Sequence, residues 1–177
     1  MIWLIAIAVG LGFGLVTGGK LTNLGKLRFR WPWIVVAVIV IRFLVLSTPL
    51  NSVEGAQYLY VLALAVIVAW TAWHSRRVRG IWLISAGAAL NLVVILANGG
   101  RMPVAPELAT SMAGRTTVGQ YTLMGSQTNL NILGDWIKLG PISQAYSPGD
   151  VLIAVGLAIV VFLAIRNPRA YEGVSPP

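Results

Sequence analysis

Cysteine is absent from the 177 residues of this chain, and histidine occurs once, as His74. The first absence excludes disulfides, thiolate nucleophiles and iron–sulfur ligation. The second excludes a metal site built from several imidazoles, so no metal and no cofactor is expected. Charge is scarce too. Only 10% of residues are charged and five are acidic, against about a quarter charged in an ordinary soluble domain. Few acids leave few candidates for carboxylate chemistry. No basic residue precedes the first apolar run, the reverse of a secretory signal with its basic leading segment.

What the chain has instead is apolar length. Hydrophobic residues make up 57% of it, and its mean hydropathy is +0.80. Five apolar runs stand out: Ile2 to Val16, Trp31 to Leu46, Tyr58 to Trp73, Ile81 to Ala97 and Val151 to Ile165. Each is near the lower limit of the ~17–25 residues that cross a bilayer. Backbone groups must be satisfied within lipid, which favours helix over strand. Tryptophans and tyrosines cluster near the run ends, as an interfacial belt requires. The expectation is an all-α polytopic membrane protein with about five transmembrane helices, forming one domain over residues 1–177. Gly10 and Gly14 give the first helix a thin face for close packing within the bundle.

The net charge of +8 does not point to nucleic acid, because the charges sit in blocks between apolar runs. Four basic residues follow the first run, three the third and two the fifth, which makes nine on one side. The other side has Arg101, Arg115 and Lys138 together with Glu54, Glu107, Asp135 and Asp150. By the positive-inside rule the nine face the cytoplasm. The expected setting is a bacterial inner membrane, N-terminus outside as an uncleaved anchor and C-terminus cytoplasmic. Membrane lipids and other membrane-protein subunits are the expected partners.

Residues 98–148 then form an extracytoplasmic loop, longer than the ~12–15 residues common for a structureless connection. Its apolar content predicts order, with a short helix from Pro106 to Ala113. Asn98-Gly99-Gly100 suits a helix stop, or a nest of backbone N–H groups that binds a lipid phosphate with Arg101. Asp135 and Asp150 are the two candidates for a catalytic dyad. Ser147-Pro148-Gly149-Asp150 competes with that idea, because it has the serine, proline and acid of a helix-capping box. Asp135 reads as a surface acid in a turn. Asn91 shares a helix face with Gly87 and Asn98 and reads as a bond to a neighbouring helix or a ligand. Arg42 lies 11 residues after Trp31, about 17 Å into a ~30 Å apolar core. A charge at that depth needs a partner, either Glu54, Asp150 or an anionic headgroup.

Three blocks carry a resemblance. They are Gly18-Gly19-Lys20-Leu21 with Asn23-Leu24, then Asn98-Gly99-Gly100-Arg101-Met102-Pro103-Val104, then Leu133-Gly134-Asp135-Trp136-Ile137 continuing into Gly149-Asp150-Val151-Leu152. In these the chain resembles a family of uncharacterised bacterial polytopic membrane proteins, a domain of unknown function. Lys138 stands where that family has proline. The C-terminal half is also similar to lipoprotein signal peptidase, an intramembrane aspartyl protease. Asp135-Trp136-Ile137 and Asp150-Val151-Leu152-Ile153 look like its hydrophobic Asp-aromatic-Ile segment and the Asp that opens its last helix. It departs where the peptidase carries its other aspartate, since Asn98-Gly99-Gly100-Arg101 has no acid.

Three functional expectations follow. One is a non-catalytic accessory or structural subunit packing against membrane proteins or lipids. Another is an aspartate-dependent hydrolase at the outer face. A third is a binder or carrier of anionic lipid using Arg42 and Arg101.

Overall fold

A computed structural model describes residues 1–26, 29–47, 53, 55–109, 120–139 and 144–166, with the side chains of 42, 45–47 and 109 outside that set. Its long helices are α1 (Ile2–Val16), α2 (Trp33–Ser47), α3 (Ala56–His74) and α4 (Ile81–Ala97). After them come β1 (Met102–Val104), α5 (Pro106–Ala109), β2 (Tyr121–Leu123), β3 (Ile137–Lys138), β4 (Ala145–Tyr146) and α6 (Pro148–Arg166). A 3₁₀ turn, Leu21–Lys26, follows α1, and another, Asn131–Leu133, precedes β3. Two helices, α3 and α6, are long and apolar enough to cross a membrane, and α1 and α4 are shorter apolar helices.

The five long helices pack in the order α1, α6, α4, α3, α2, so the last helix of the chain is inserted between the first and the fourth. Small residues set this arrangement. A Cβ at Gly10 would lie 2.5 Å from the carbonyl oxygen of Ala158, and one at Gly14 would run into Ile165. The expected thin face of α1 therefore packs on α6. On the other flank, a Cβ at Gly87 would strike the carbonyl of Gly149, and one at Gly156 would lie 2.9 Å from the backbone of Ile84. At such points helix backbones approach closely and gain dispersion contacts along their length.

The hydrophobic clusters follow the same line. Trp70, Val78, Ile81, Val160 and Ala164 fill one end of the bundle. Val94, Ile95 and Met102 fill the other, where Tyr121 and Leu133 of the loop close over them. In α2 no described side chain is buried.

The loop departs from the all-α expectation. β1 and β2 pair in parallel with Met102 opposite Tyr121, and β3 and β4 pair antiparallel with Ile137 opposite Tyr146. Asp135 adds a parallel bridge to Val104 on the free side of β1. Such pairings join residues distant in sequence, so local apolar period does not announce them. The short helix runs from Pro106 to Ala109. The remainder of the expected helix, to Ala113, lies outside the described residues.

The chain directions follow from contacts at the helix ends. Ile2 N–H donates to the Tyr146 hydroxyl at 3.3 Å, so α1 begins beside β4 at the loop end. At the opposite end, Lys20 N–H donates to the Ile165 carbonyl at 3.0 Å. Asn23 Nδ2 donates to the same oxygen at 2.8 Å. These two bonds satisfy a carbonyl that the end of α6 leaves without a helical partner.

Candidate functional site

The polar residues singled out in the sequence converge where α4 meets the start of α6. Asn91 is on α4, four residues beyond Gly87, whose missing side chain admits the backbone at Gly149. A Cβ at Gly149 would in turn strike the Asn91 side chain. Two glycines thus bring a buried amide against a helix N-terminus.

There the bonds are reciprocal. Asp150 N–H donates to Ser147 Oγ at 2.9 Å, and Ser147 N–H donates to Asp150 Oδ2 at 3.3 Å. This is the geometry of a capping box. Asn91 completes it: its Nδ2 donates to Asp150 Oδ1 at 3.0 Å, and its Oδ1 accepts from Ser147 Oγ at 2.8 Å. Ser147 is fully buried and Asn91 is 8% exposed. Both oxygens of the Asp150 carboxylate therefore accept bonds from N–H groups, and the serine hydroxyl is closed off from solvent. As a chemical unit this array joins two helices, with acceptors and donors matched inside an apolar bundle.

The residues at the end of α4 form a second array. Gly100 N–H donates to the Ile95 carbonyl at 2.9 Å, and Gly99 N–H to the Leu96 carbonyl at 3.3 Å. Both glycines have positive φ, +64° and +85°, the backbone of a Schellman stop. Of the two readings of Asn98-Gly99-Gly100, this geometry is that of the helix stop. The N–H groups that would hold a phosphate close the helix instead. Arg101 is exposed, and any anion binding there would rest on its side chain. Asn98 is likewise committed. Its Nδ2 donates to the carbonyls of Val94 and Asn129, at 2.7 and 2.9 Å, and its Oδ1 accepts from Asn129 N–H at 2.8 Å. Asn129 Nδ2 reaches back to the Ala97 carbonyl at 3.2 Å. Asn98 is a clasp between α4 and the loop.

Asp135, expected on the surface, is 6% exposed. The reason is its backbone. Asp135 N–H donates to the Pro103 carbonyl at 2.8 Å, and its own carbonyl accepts from Ala105 N–H at 2.9 Å, which draws the residue in beside β1. Gly134 permits the approach, since a Cβ there would lie 2.7 Å from the Pro103 oxygen. Arg42 belongs to α2, but its side chain lies outside the described residues, as does its suggested partner Glu54.

Among the described residues no three His, Asp or Glu side chains come together as a metal site. His74 is buried with its Nδ1 2.8 Å from the Trp70 carbonyl and its ring tilted against that of Trp70, centroids 4.2 Å apart. A carbonyl only accepts, so Nδ1 carries the proton.

Sequence reasoning gave no bonding role to Asn129, Asn23 or Gln120. Gln120 is 4% exposed, and its Nε2 has no hydrogen-bond partner among the described residues. Polar residues in a segment of turn-forming composition carry no local sign of burial. The first array was more accessible, because capping spacing and helical periodicity pointed to Ser147, Asp150 and Asn91.

No curated protein and no solved structure matches the chain. A family model does match, over residues 26–162, described as a family of unknown function (DUF5317). That match takes in α2 through most of α6, and the chain belongs to this family.

Proposed function

We propose that the protein is a five-span integral membrane protein of a bacterial plasma membrane, with its N-terminus outside and its C-terminus cytoplasmic. Its role is that of a non-catalytic subunit packing against a partner membrane protein. One observation carries the reading. The folded loop, outside the five helices, displays Leu123, Leu130, Ile132, Trp136 and Leu139, with Ile132 74% exposed. Apolar side chains held out by an ordered loop favour a protein contact. The candidate polar groups support the same view, since Asn91, Ser147 and Asp150 are joined to one another rather than directed at a substrate. Seven basic side chains among the described residues gather at the opposite end: Lys20, Lys26, Arg30, Arg76, Arg77, Arg79 and Arg166. That asymmetry supports the orientation.

The cysteine-free chain permits a direct test. Single cysteines replace Ser126, Ile132 and Ser175, and a membrane-impermeant thiol reagent is applied to intact cells or spheroplasts. Ser126→Cys should label, and Ser175→Cys should label only after lysis. Ile132→Cys should be protected in the native membrane and become reactive after purification. Labelling of Ser175→Cys in intact cells would overturn the topology. Equal labelling of Ile132→Cys before and after purification would overturn the partner contact.

A further inference from the structure

The α2–α3 contact has a feature that the subunit reading does not use. Between α2 and α3 runs an open groove of about 200 Å³, walled by Trp33, Ala37 and Ile41 on one side and Leu59, Ala63 and Val66 on the other. The lining is wholly apolar, and Ala37 and Ala63 keep it open.

Three residues before Trp33, which walls one end of the groove, stands a cation. The Arg30 guanidinium carbon lies 5.1 Å from the Trp31 ring centroid and 5.7 Å from that of Trp73. The two rings meet edge to face at 5.1 Å. The Arg30 carbonyl is pinned by Trp70 Nε1–H at 3.0 Å. Trp31 holds this arrangement with φ +55°, a left-handed backbone that a bulky side chain adopts only under constraint. No carboxylate side chain occurs at this end among the described residues. Glu107, Asp135 and Asp150 belong to the loop end. Arg30 is thus a cation held between two rings, at the end of the bundle that carries the other basic residues and one turn before the Trp33 wall of the groove.

We propose that the α2–α3 groove binds one anionic phospholipid, its phosphate at Arg30 and part of one acyl chain between Ala37 and Ala63. The proposal rests on the membrane reading above. Guanidinium is suited to phosphate through its planar fork of donors, and aromatic faces hold it in place without neutralising it. A second copy of the chain fits less well. Copies in one membrane share an orientation, so a twofold contact along this groove would bring Arg30 against Arg30.

The test uses the full chain in mild detergent, with phosphatidylglycerol and phosphatidylcholine of identical acyl chains added in equal amounts. Native mass spectrometry should show one phosphatidylglycerol retained per chain in preference to phosphatidylcholine. Arg30→Gln should lower that preference about fivefold, and Arg101→Gln, at the loop end, should leave it unchanged. Ala37→Phe, which fills the groove, should reduce retention of both lipids, and it reads out the site without touching the cation. Equal retention of the two lipids, or an Arg30→Gln protein with wild-type preference, would overturn the site. A lipid-free dimer dissociated by Ala37→Phe would assign the groove to a second copy and also overturn it. Extraction of the protein from membranes by alkaline carbonate would sink the membrane reading itself. A carbonate-resistant protein without lipid preference sinks only the lipid site.

Discussion

The two outermost helices of the protein differ in how they are held. α1 lies on α6 through Gly10 and Gly14, and the turn after it closes the far end of α6 through Lys20 and Asn23. α2 touches α3, presents no buried side chain among the described residues, and leaves an apolar groove along that contact. Length and apolar character do not separate them, since both are 15-residue apolar helices. What separates them is whether glycine lets backbone reach backbone. In lipid, where tails are as apolar as leucine, hydrophobicity alone does not join helices. The α1–α6–α4 side is fastened by close approach and hydrogen bonds, whereas α2 is free to take other contacts.

The largest way to break the fastened side is to fill its closest contact. Gly149→Leu would drive a side chain into Asn91 and the Gly87 carbonyl; the carbonyl cannot withdraw without moving a helix, and the amide only by giving up its bonds to Ser147 and Asp150. Overpacking typically costs about 1–3 kcal/mol, and a backbone obstacle places this variant at or above the top of that range. Ala37→Leu on α2, entering the open groove, should change stability by less than about 1 kcal/mol. Thermal unfolding of the two variants in one detergent makes the comparison. Similar melting temperatures would show that the two sides are held alike.

A smaller effect is expected from the polar array. Asn91→Ala leaves Asp150 Oδ1 and the Ser147 hydroxyl without the amide, at a cost of about 1–3 kcal/mol. Asp150→Asn or Ser147→Ala should each cost about 1 kcal/mol, as loss of a cap does. The three share bonds, so their effects should fall short of additive in double-mutant cycles. Additive losses would mean that the array does not act as a unit. If Asp150→Asn kept the melting temperature of the parent and trapped a peptide or lipid substrate, the non-catalytic reading would have to be abandoned.

The sequence was most informative where structure is local. The five helices lie within a few residues of the apolar runs, and the Ser147–Asp150 spacing announced its cap. Asn91 was visible as a polar residue on a glycine-bearing helix face. What stayed hidden depends on distant pairing. Asp135 is drawn inside by β1, some thirty residues earlier, so its own neighbours read as a surface turn. The glycines of Asn98-Gly99-Gly100 offered two physical meanings at once, and only the destinations of their N–H groups choose between them. The resemblance blocks gain a structural sense here. Gly19, Lys20 and Asn23 close one end of α6, and Gly149 and Asp150 open the other. Pro103, Gly134 and Asp135 knit the loop between.

The smallest effect should come from the open face of α2, and it sharpens the contrast most. Phe43 is 66% exposed, with no cavity to leave behind when shortened. Truncating a buried phenylalanine costs about 3–5 kcal/mol because its partners lose contacts they cannot replace. If α2 faces lipid, as in the membrane reading proposed above, acyl chains or detergent take up the vacated space. Phe43→Ala should therefore shift stability by no more than about 0.5 kcal/mol. The equivalent truncation in the packed half, Ile95→Ala, removes a side chain that is 1% exposed and should cost about 2–5 kcal/mol. Measured side by side, the pair compares burial within the chain with exposure to lipid. A Phe43→Ala loss approaching that of Ile95→Ala would mean that another helix covers α2 in the membrane. In that case the loose face would be an assembly surface, and the protein would owe its stability there to a partner.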